Sequence, residues 1–205
     1  MIYLHYILIA VGSYLLGSIS FSIMMSKLFL GGDVRSSGSG NAGATNMARV
    51  YGLVPGILTL LGDMLKAGVC MYIGWRLIGD VGLSLAGLFC LIGHCFPMIY
   101  GFHGGKGVSV GAIIALAVDW RVFMAVVLAF LLGALFSRKV SFGSICACVM
   151  ITTAAAVCKV GAPKLILCII GMCLVIFQHR ENIKRIINGT EPDFKPAHRN
   201  RKQDI

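Results

Sequence analysis

Four stretches of this chain, residues 2–26, 53–75, 81–101 and 140–158, stay apolar for about the length a helix needs to cross a lipid bilayer. A hydrocarbon core of about 30 Å takes about 20 helical residues, and within it every backbone polar group must be satisfied by the protein itself. Composition agrees with this reading. Hydrophobic residues make up 58% of the 205 positions and charged ones 13%, whereas a soluble domain carries about 25% charged residues. The apolar content excludes disorder, and length with a mean hydropathy of +0.87 excludes a secreted disulfide scaffold. No polar stretch is long enough for a separate soluble domain. The expected class is an all-α integral membrane protein.

Three further apolar runs are shorter: 107–118, 122–137 and 165–178. Asp119-Trp120-Arg121 either interrupts one long helix or marks a turn between two. Charge bias chooses, because Lys and Arg collect on the cytoplasmic side. Seven spans with an external N-terminus put 13 basic residues inside and four (Arg76, Arg121, Lys159, Lys164) outside, with Lys66 within a span. Fusing 107–137 gives six spans, ten basic residues inside and six outside, with Arg121 buried. The prediction is therefore seven transmembrane helices, two of them short, with a cytoplasmic C-terminus. The first 26 residues contain no Lys or Arg, so the first span is expected to be retained rather than cleaved as a signal peptide. The eight cysteines lie mostly in apolar runs without CxxC spacing and read as small buried hydrophobes. The basic tail 195–205 is expected to be mobile and to face lipid headgroups.

This topology gathers three polar segments, 33–52, 94–107 and 179–194, on the cytoplasmic face. The first contains Gly38-Ser39-Gly40-Asn41-Ala42-Gly43-Ala44-Thr45-Asn46, then Arg49. It matches G-x-G-x-x-G, with Asp63 twenty residues after Gly43, but a dinucleotide fingerprint needs a βαβ unit and its flanks here are membrane helices. Glycines that let backbone N–H groups converge, with Ser, Asn and Thr as neutral donors and Arg49 as a bidentate fork, suit an anion cradle. The second segment carries His94 and then Gly101-Phe102-His103-Gly104-Gly105-Lys106-Gly107. It is not a P-loop, since Tyr100 and Gly107 stand where Gly and Ser or Thr belong, yet it also sets a lysine among glycines at a helix start. His94 reads equally as a structural or a catalytic histidine.

In the third segment His179, Asn182 and Arg185 recur every three residues and share one broad helix face. Arg180 and Lys184 point elsewhere, toward anionic headgroups. Asp63 and Lys66 lie inside the second span, where each charge costs roughly 2.5–3.5 kcal/mol, so both face the bundle interior. They form a structural ion pair, or Lys66 helps hold phosphate; both readings stay open. Acidic residues are few and scattered, which argues against magnesium-dependent phosphoryl transfer. The His-x-x-x-x-Asp acyltransferase motif is absent. A transporter for phosphate or organic phosphates would use similar loops, but the clustering on one face and the lack of an internal repeat weigh against it.

Taken in order, GSGNAGATNMARVYG, GDMLKAG, GHCFPMIYGFHGGKGVSVG and HRENIKRIINGTEPDF resemble the motifs of the bacterial acyl-phosphate:glycerol-3-phosphate acyltransferase family (PlsY type), over nearly the whole chain. The resemblance implies a single membrane-embedded acyltransferase domain over 1–205 in the bacterial cell membrane. It would move a fatty acyl group from acyl phosphate to the 1-hydroxyl of glycerol 3-phosphate, giving lysophosphatidate and phosphate. By the same resemblance Ser39, Arg49, Lys106, His179 and Asn182 form the reactive centre. Gly38, Gly40, Asn41, Gly43, Thr45, Asn46, Gly104, Gly105, Gly107 and Arg185 are expected to shape the phosphate sites, with Lys66 joining them on its phosphate reading, and Asp63, His94 and Glu191 are candidates for structural support behind them. Neither metal nor cofactor is expected, and neither is nucleic acid. The partners are the two substrates and membrane lipid, with a monomer and a weak oligomer both left open.

Overall fold

The computed structural model describes residues 2–195 and 197, and among these all regular structure is helical. The helices are α1 (Ile2–Gly17), α2 (Phe21–Phe29), α3 (Ala44–Tyr51), α4 (Leu53–Cys95), α5 (Val108–Val118), α6 (Trp120–Ser137), α7 (Val140–Val157), α8 (Ala162–Gln178) and α9 (Arg180–Ile187), with 3-10 turns at Val34–Ser36 and Met98–Tyr100. Large side chains such as Leu58, Leu65, Leu128, Leu135 and Phe136 face outward, and in water so wide an apolar surface would drive aggregation. Against lipid it costs nothing. The all-α, membrane-integrated class expected from the sequence is borne out.

The long helix α4 is two antiparallel arms. Ile78 and Gly79 leave helical geometry, with Gly79 at φ +63, a value that favours glycine. A Cβ on Gly74 would overlap the Gly82 carbonyl, and one on Gly87 would sit 3.4 Å from Met71. Eight residues of straight helix would hold Gly74 and Gly82 about 12 Å apart. The chain also doubles back at Asp119, which is extended (φ -168) and accepts the Arg121 N–H at 2.8 Å. Val108 and Phe130 then border the same cavities, although a continuous helix would separate them by about 33 Å. The tripeptide 119–121 is thus a turn, as the charge bias required. Apolar helical segments stand at all seven expected positions: α1 with α2, the two α4 arms, α5, α6, α7 and α8. With 11 residues, α5 rises only about 16 Å, roughly half a bilayer core.

Glycines let the segments approach closely, as small residues do between membrane helices. A Cβ on Gly93 would overlap the Tyr14 carbonyl of α1, and one on Gly143 would lie 2.6 Å from the Phe130 carbonyl of α6. All eight cysteines are free; five are buried, while Cys146 and Cys158 are partly exposed and Cys173 is exposed. Asp80 and Lys164 pair at 2.9 Å at one end of the bundle. At the other, Arg35 donates to the carbonyls of Tyr100 and His103, Lys139 pairs with Asp193, and the Phe194 N–H meets the Arg138 carbonyl. The polar segments therefore meet at one end. Of the expected mobile tail, only Lys195 and Ala197 fall within the described residues, and the Ala197 N–H donates to the Ala48 carbonyl at 3.1 Å.

Candidate active site

Polar side chains from three separate segments border a cavity of about 650 Å³ at that end. Ser39, Asn41, Thr45 and Arg49 come from the first loop and α3, Lys106 from the loop before α5, and His179, Asn182 and Arg185 from the α8–α9 corner. The corner is a bend of 58°, and it aims the expected face of α9 inward. The first residues of α3 and α5 also border the cavity, so their unpaired N–H groups and partial positive charge reach it. Three cationic side chains (Arg49, Lys106, Arg185) face one carboxylate, Glu191.

Glu191 organises the third segment. Its Oε1 accepts from Ser141 Oγ at 2.6 Å and Asn182 Nδ2 at 2.7 Å, while Oε2 accepts from Arg185 Nε at 2.7 Å. Burial alone would raise its carboxyl, but these hydrogen bonds outweigh burial and hold it below the usual range. With its amide nitrogen so fixed, Asn182 turns Oδ1 to the Lys106 ammonium, which donates to it. Burial pushes Lys106 down to about 8, helped by the nearby Arg185 and Arg49 cations and opposed by Glu191. The His179 ring is buried, and its Nδ1 lies 2.8 Å from the Val175 carbonyl. Facing an oxygen, Nδ1 donates, which leaves Nε2 as the acceptor.

Some expected phosphate ligands have other work. Asn46 is 1% exposed: its Oδ1 accepts from the Ser39 N–H, and its Nδ2 donates to the Val34 and Ser37 carbonyls. It borders the cavity, but both its N–H groups are engaged within the first loop, so it acts there as a strut. Lys66 does not border the cavity; its ammonium donates to the Gly17 and Ile19 carbonyls, which the break between α1 and α2 leaves without helical partners. Gly104 and Gly105 also lie off the cavity wall, packed so tightly on His94 and Cys95 that a Cβ at either position would overlap His94 atoms. Gly40 does not border the cavity either. Gly38, Gly43 and Gly107 do, and Gly107 at φ +85 makes the turn into α5.

Sequence reasoning missed Ser109, Ser141 and Ser144, which border the cavity from apolar spans where a serine carries no signal. It also missed Arg35, whose bonds to the Tyr100 and His103 carbonyls strap the first loop to the second. Among the described residues no three His, Cys, Asp or Glu side chains gather as a metal site would require.

A second cavity of about 290 Å³ runs from the first between α4, α5, α6, α7 and α8, its wall almost wholly apolar. Leu60, Gly107, Val108, Phe130 and Ser144 border both. A cationic chamber thus lies directly against an apolar one. Residues 7–189 match the sequence model of the glycerol-3-phosphate acyltransferase family. The chain belongs to that family. It is 38% identical over 192 residues to a glycerol-3-phosphate acyltransferase of Finegoldia magna, covering 92% of this chain and 96% of that one. A Clostridioides difficile relative of the same name is 40% identical over 195 residues, covering 91% and 94%. Among solved structures, PlsY (YgiH), an integral membrane glycerol 3-phosphate acyltransferase in its glycerol 3-phosphate form, superposes with a TM-score of 0.88 at 35% identity, covering 93% of this chain and 96% of that one. The same enzyme in its lysophosphatidic acid form gives a TM-score of 0.86. The protein is therefore an integral membrane enzyme that acylates glycerol 3-phosphate.

Proposed function

We propose that the acyl donor is acyl phosphate, that the product is 1-acylglycerol 3-phosphate with inorganic phosphate, and that the chemistry occurs in the cationic chamber, on the cytoplasmic face of a bacterial inner membrane. One observation carries this reading: the chamber and the apolar cavity share a wall. A donor with a charged head and a long chain fits across that junction, and the lysophosphatidic acid form of the related PlsY is consistent with a product of the same shape.

The reaction needs little from the protein beyond position and charge. Acyl phosphate is a mixed anhydride, so phosphate leaves readily and no acyl-enzyme is required. Arg49, Lys106, Arg185 and the N–H groups at the starts of α3 and α5 offset the repulsion between two phosphate-bearing substrates and stabilise the tetrahedral oxyanion. Ser39 and Asn182 orient the reacting groups. The glycerol 1-oxygen attacks the acyl carbon, forming a C–O bond as the anhydride C–O bond breaks. The hydroxyl proton is accepted by His179 Nε2 or directly by the departing phosphate, where it ends. The acyl chain lies in the apolar cavity, and glycerol 3-phosphate enters from water.

Purified protein supplied with palmitoyl phosphate and radiolabelled glycerol 3-phosphate is expected to give labelled lysophosphatidate and one phosphate per turnover. Turnover with palmitoyl-CoA but not palmitoyl phosphate would reject the assigned donor.

A further inference from the structure

His94 borders the chamber, and with Asp63 and Lys66 behind it forms a buried cluster that the reaction above does not use. All three are under 5% exposed. Lys66 has three N–H groups. Two go to the Gly17 and Ile19 carbonyls, and the third is directed at His94 Nδ1, 3.2 Å away. Asp63 Oδ1 is 2.8 Å from the Lys66 nitrogen and 3.7 Å from His94 Nδ1, beyond hydrogen-bond reach of the ring, and neither of its carboxylate oxygens has a hydrogen-bond partner among the described residues. Asp63 thus offsets the ammonium charge, and the imidazole nitrogen is the partner left for the third N–H. An ammonium has no acceptor to offer, so Nδ1 must be the accepting nitrogen and the ring proton must sit on Nε2. An imidazole in this state has no free nitrogen with which to take a proton from substrate.

The far side of the ring meets the second loop. Nε2 and Cε1 press on Gly105, where a Cβ would overlap Nε2 and lie 2.9 Å from the Ala42 carbonyl of the first loop. The His94 carbonyl accepts the Gly105 N–H at 3.0 Å, and the Cys95 carbonyl accepts that of Gly104 at 3.2 Å. The ring therefore stands where the two glycine loops meet, against Gly105 and so one residue from Lys106. From Lys66 the contact continues to the break between α1 and α2, so one ammonium ties three elements to this point.

We propose that Lys66 locks His94 as the Nε2–H tautomer, and that the His94 ring acts as a positioning residue. In that role it spaces the first and second loops so that Lys106 and Arg49 face the same phosphate groups. The phosphate part of this inference rests on the proposed function; the tautomer does not.

Two measurements test it. Ring-¹⁵N histidine NMR of the detergent-solubilised protein, with His94 assigned by its loss in His94→Gln, is expected to show the neutral Nε2–H form; Lys66→Met should turn it into a tautomer mixture. An Nδ1–H or doubly protonated ring in the wild type would overturn the lock, whatever the acyl donor. In steady-state assays of glycerol 3-phosphate acylation, His94→Gln keeps an N–H at the Nε2 position and is expected to retain most turnover. His94→Asn, which has no group there, should raise KM for glycerol 3-phosphate about tenfold or more, with a smaller change in kcat, because loop misplacement of about 1 Å is costly. Loss of kcat in His94→Gln equal to that in His94→Ala would mark His94 as a proton-transfer group and refute the positioning role. Unchanged kinetics in His94→Asn would refute it as well. Should Lys66→Met fail to fold, the wild-type spectrum and the Gln/Asn pair still decide.

Discussion

Lys106 provides the sharpest test of the chamber, because burial sets its charge within reach of experiment. The burial that costs its ammonium solvation, with Arg185 and Arg49 nearby, lowers it to about 8, and Glu191 restores only part of the difference. The charged form binds phosphate, so activity must fall as pH rises through that value. A group titrating at 8 is about nine-tenths protonated at pH 7 and about one-eleventh at pH 9, so kcat/KM should drop about tenfold across that interval. Glycerol 3-phosphate does not confuse the reading, since a phosphate monoester with a second pKa of about 6 is already about nine-tenths dianion at about pH 7. No thiol or phenol among the described residues borders the chamber to mimic the limb. Bound phosphates favour the ammonium, so the corresponding limb in kcat should lie at higher pH than that in kcat/KM. The assay is the initial rate of labelled lysophosphatidate formation between about pH 6 and about pH 10, for wild type and Lys106→Arg. The arginine variant is slower, but its guanidinium keeps its charge beyond about pH 12, so its alkaline limb should vanish. A wild-type profile flat past about pH 9, or the same limb in Lys106→Arg, would refute the assignment of Lys106 as the titrating phosphate ligand.

Gly111 lies on the wall of the apolar cavity with open space where a Cβ would be, so Gly111→Leu fills part of the groove without a backbone clash. It is expected to lower kcat/KM for a palmitoyl donor by about tenfold or more while sparing an octanoyl one, and equal losses for both would take the acyl chain out of this cavity. In a cysteine-free background, thiols introduced as Ser39→Cys and Lys106→Cys should react with a membrane-impermeant reagent from the same side, and Asp80→Cys only from the other. Labelling of Ser39→Cys and Lys106→Cys from opposite sides would dissolve the shared chamber.

Membrane insertion was legible because it depends on local quantities: apolar length per segment and the distribution of Lys and Arg. These also located the turn at Asp119, where a charged tripeptide interrupts an otherwise apolar run. The loops bearing Ser39, Arg49, Lys106, His179 and Asn182 were legible too, since glycine and polar donors in quantity have no place in a bilayer core except at a site. The assignments that changed are those where a backbone group, invisible in sequence, competes for the side chain. Asn46 looked like an anion ligand until the Val34 and Ser37 carbonyls took its donors. For Lys66 an ion pair with Asp63 and a phosphate role were both open, and the structure pairs it with Asp63 while the nearby helix break supplies two carbonyls for its donors. Gly104 and Gly105 serve close packing on His94 and Cys95 rather than the cavity wall.

The amino-acid order by itself determined that this chain enters the membrane, where it turns, and which polar segments carry chemistry, because hydropathy, charge bias and glycine content act residue by residue. Tertiary structure alone decided which of those polar groups remain free to meet a substrate. Hydrogen-bonding capacity is finite, and only the packed helices fix whether a donor is already engaged by a neighbouring carbonyl. It also decided that the cationic chamber adjoins an apolar groove, since that junction is built by Leu60, Gly107, Val108, Phe130 and Ser144 from four helices and a loop far apart along the chain.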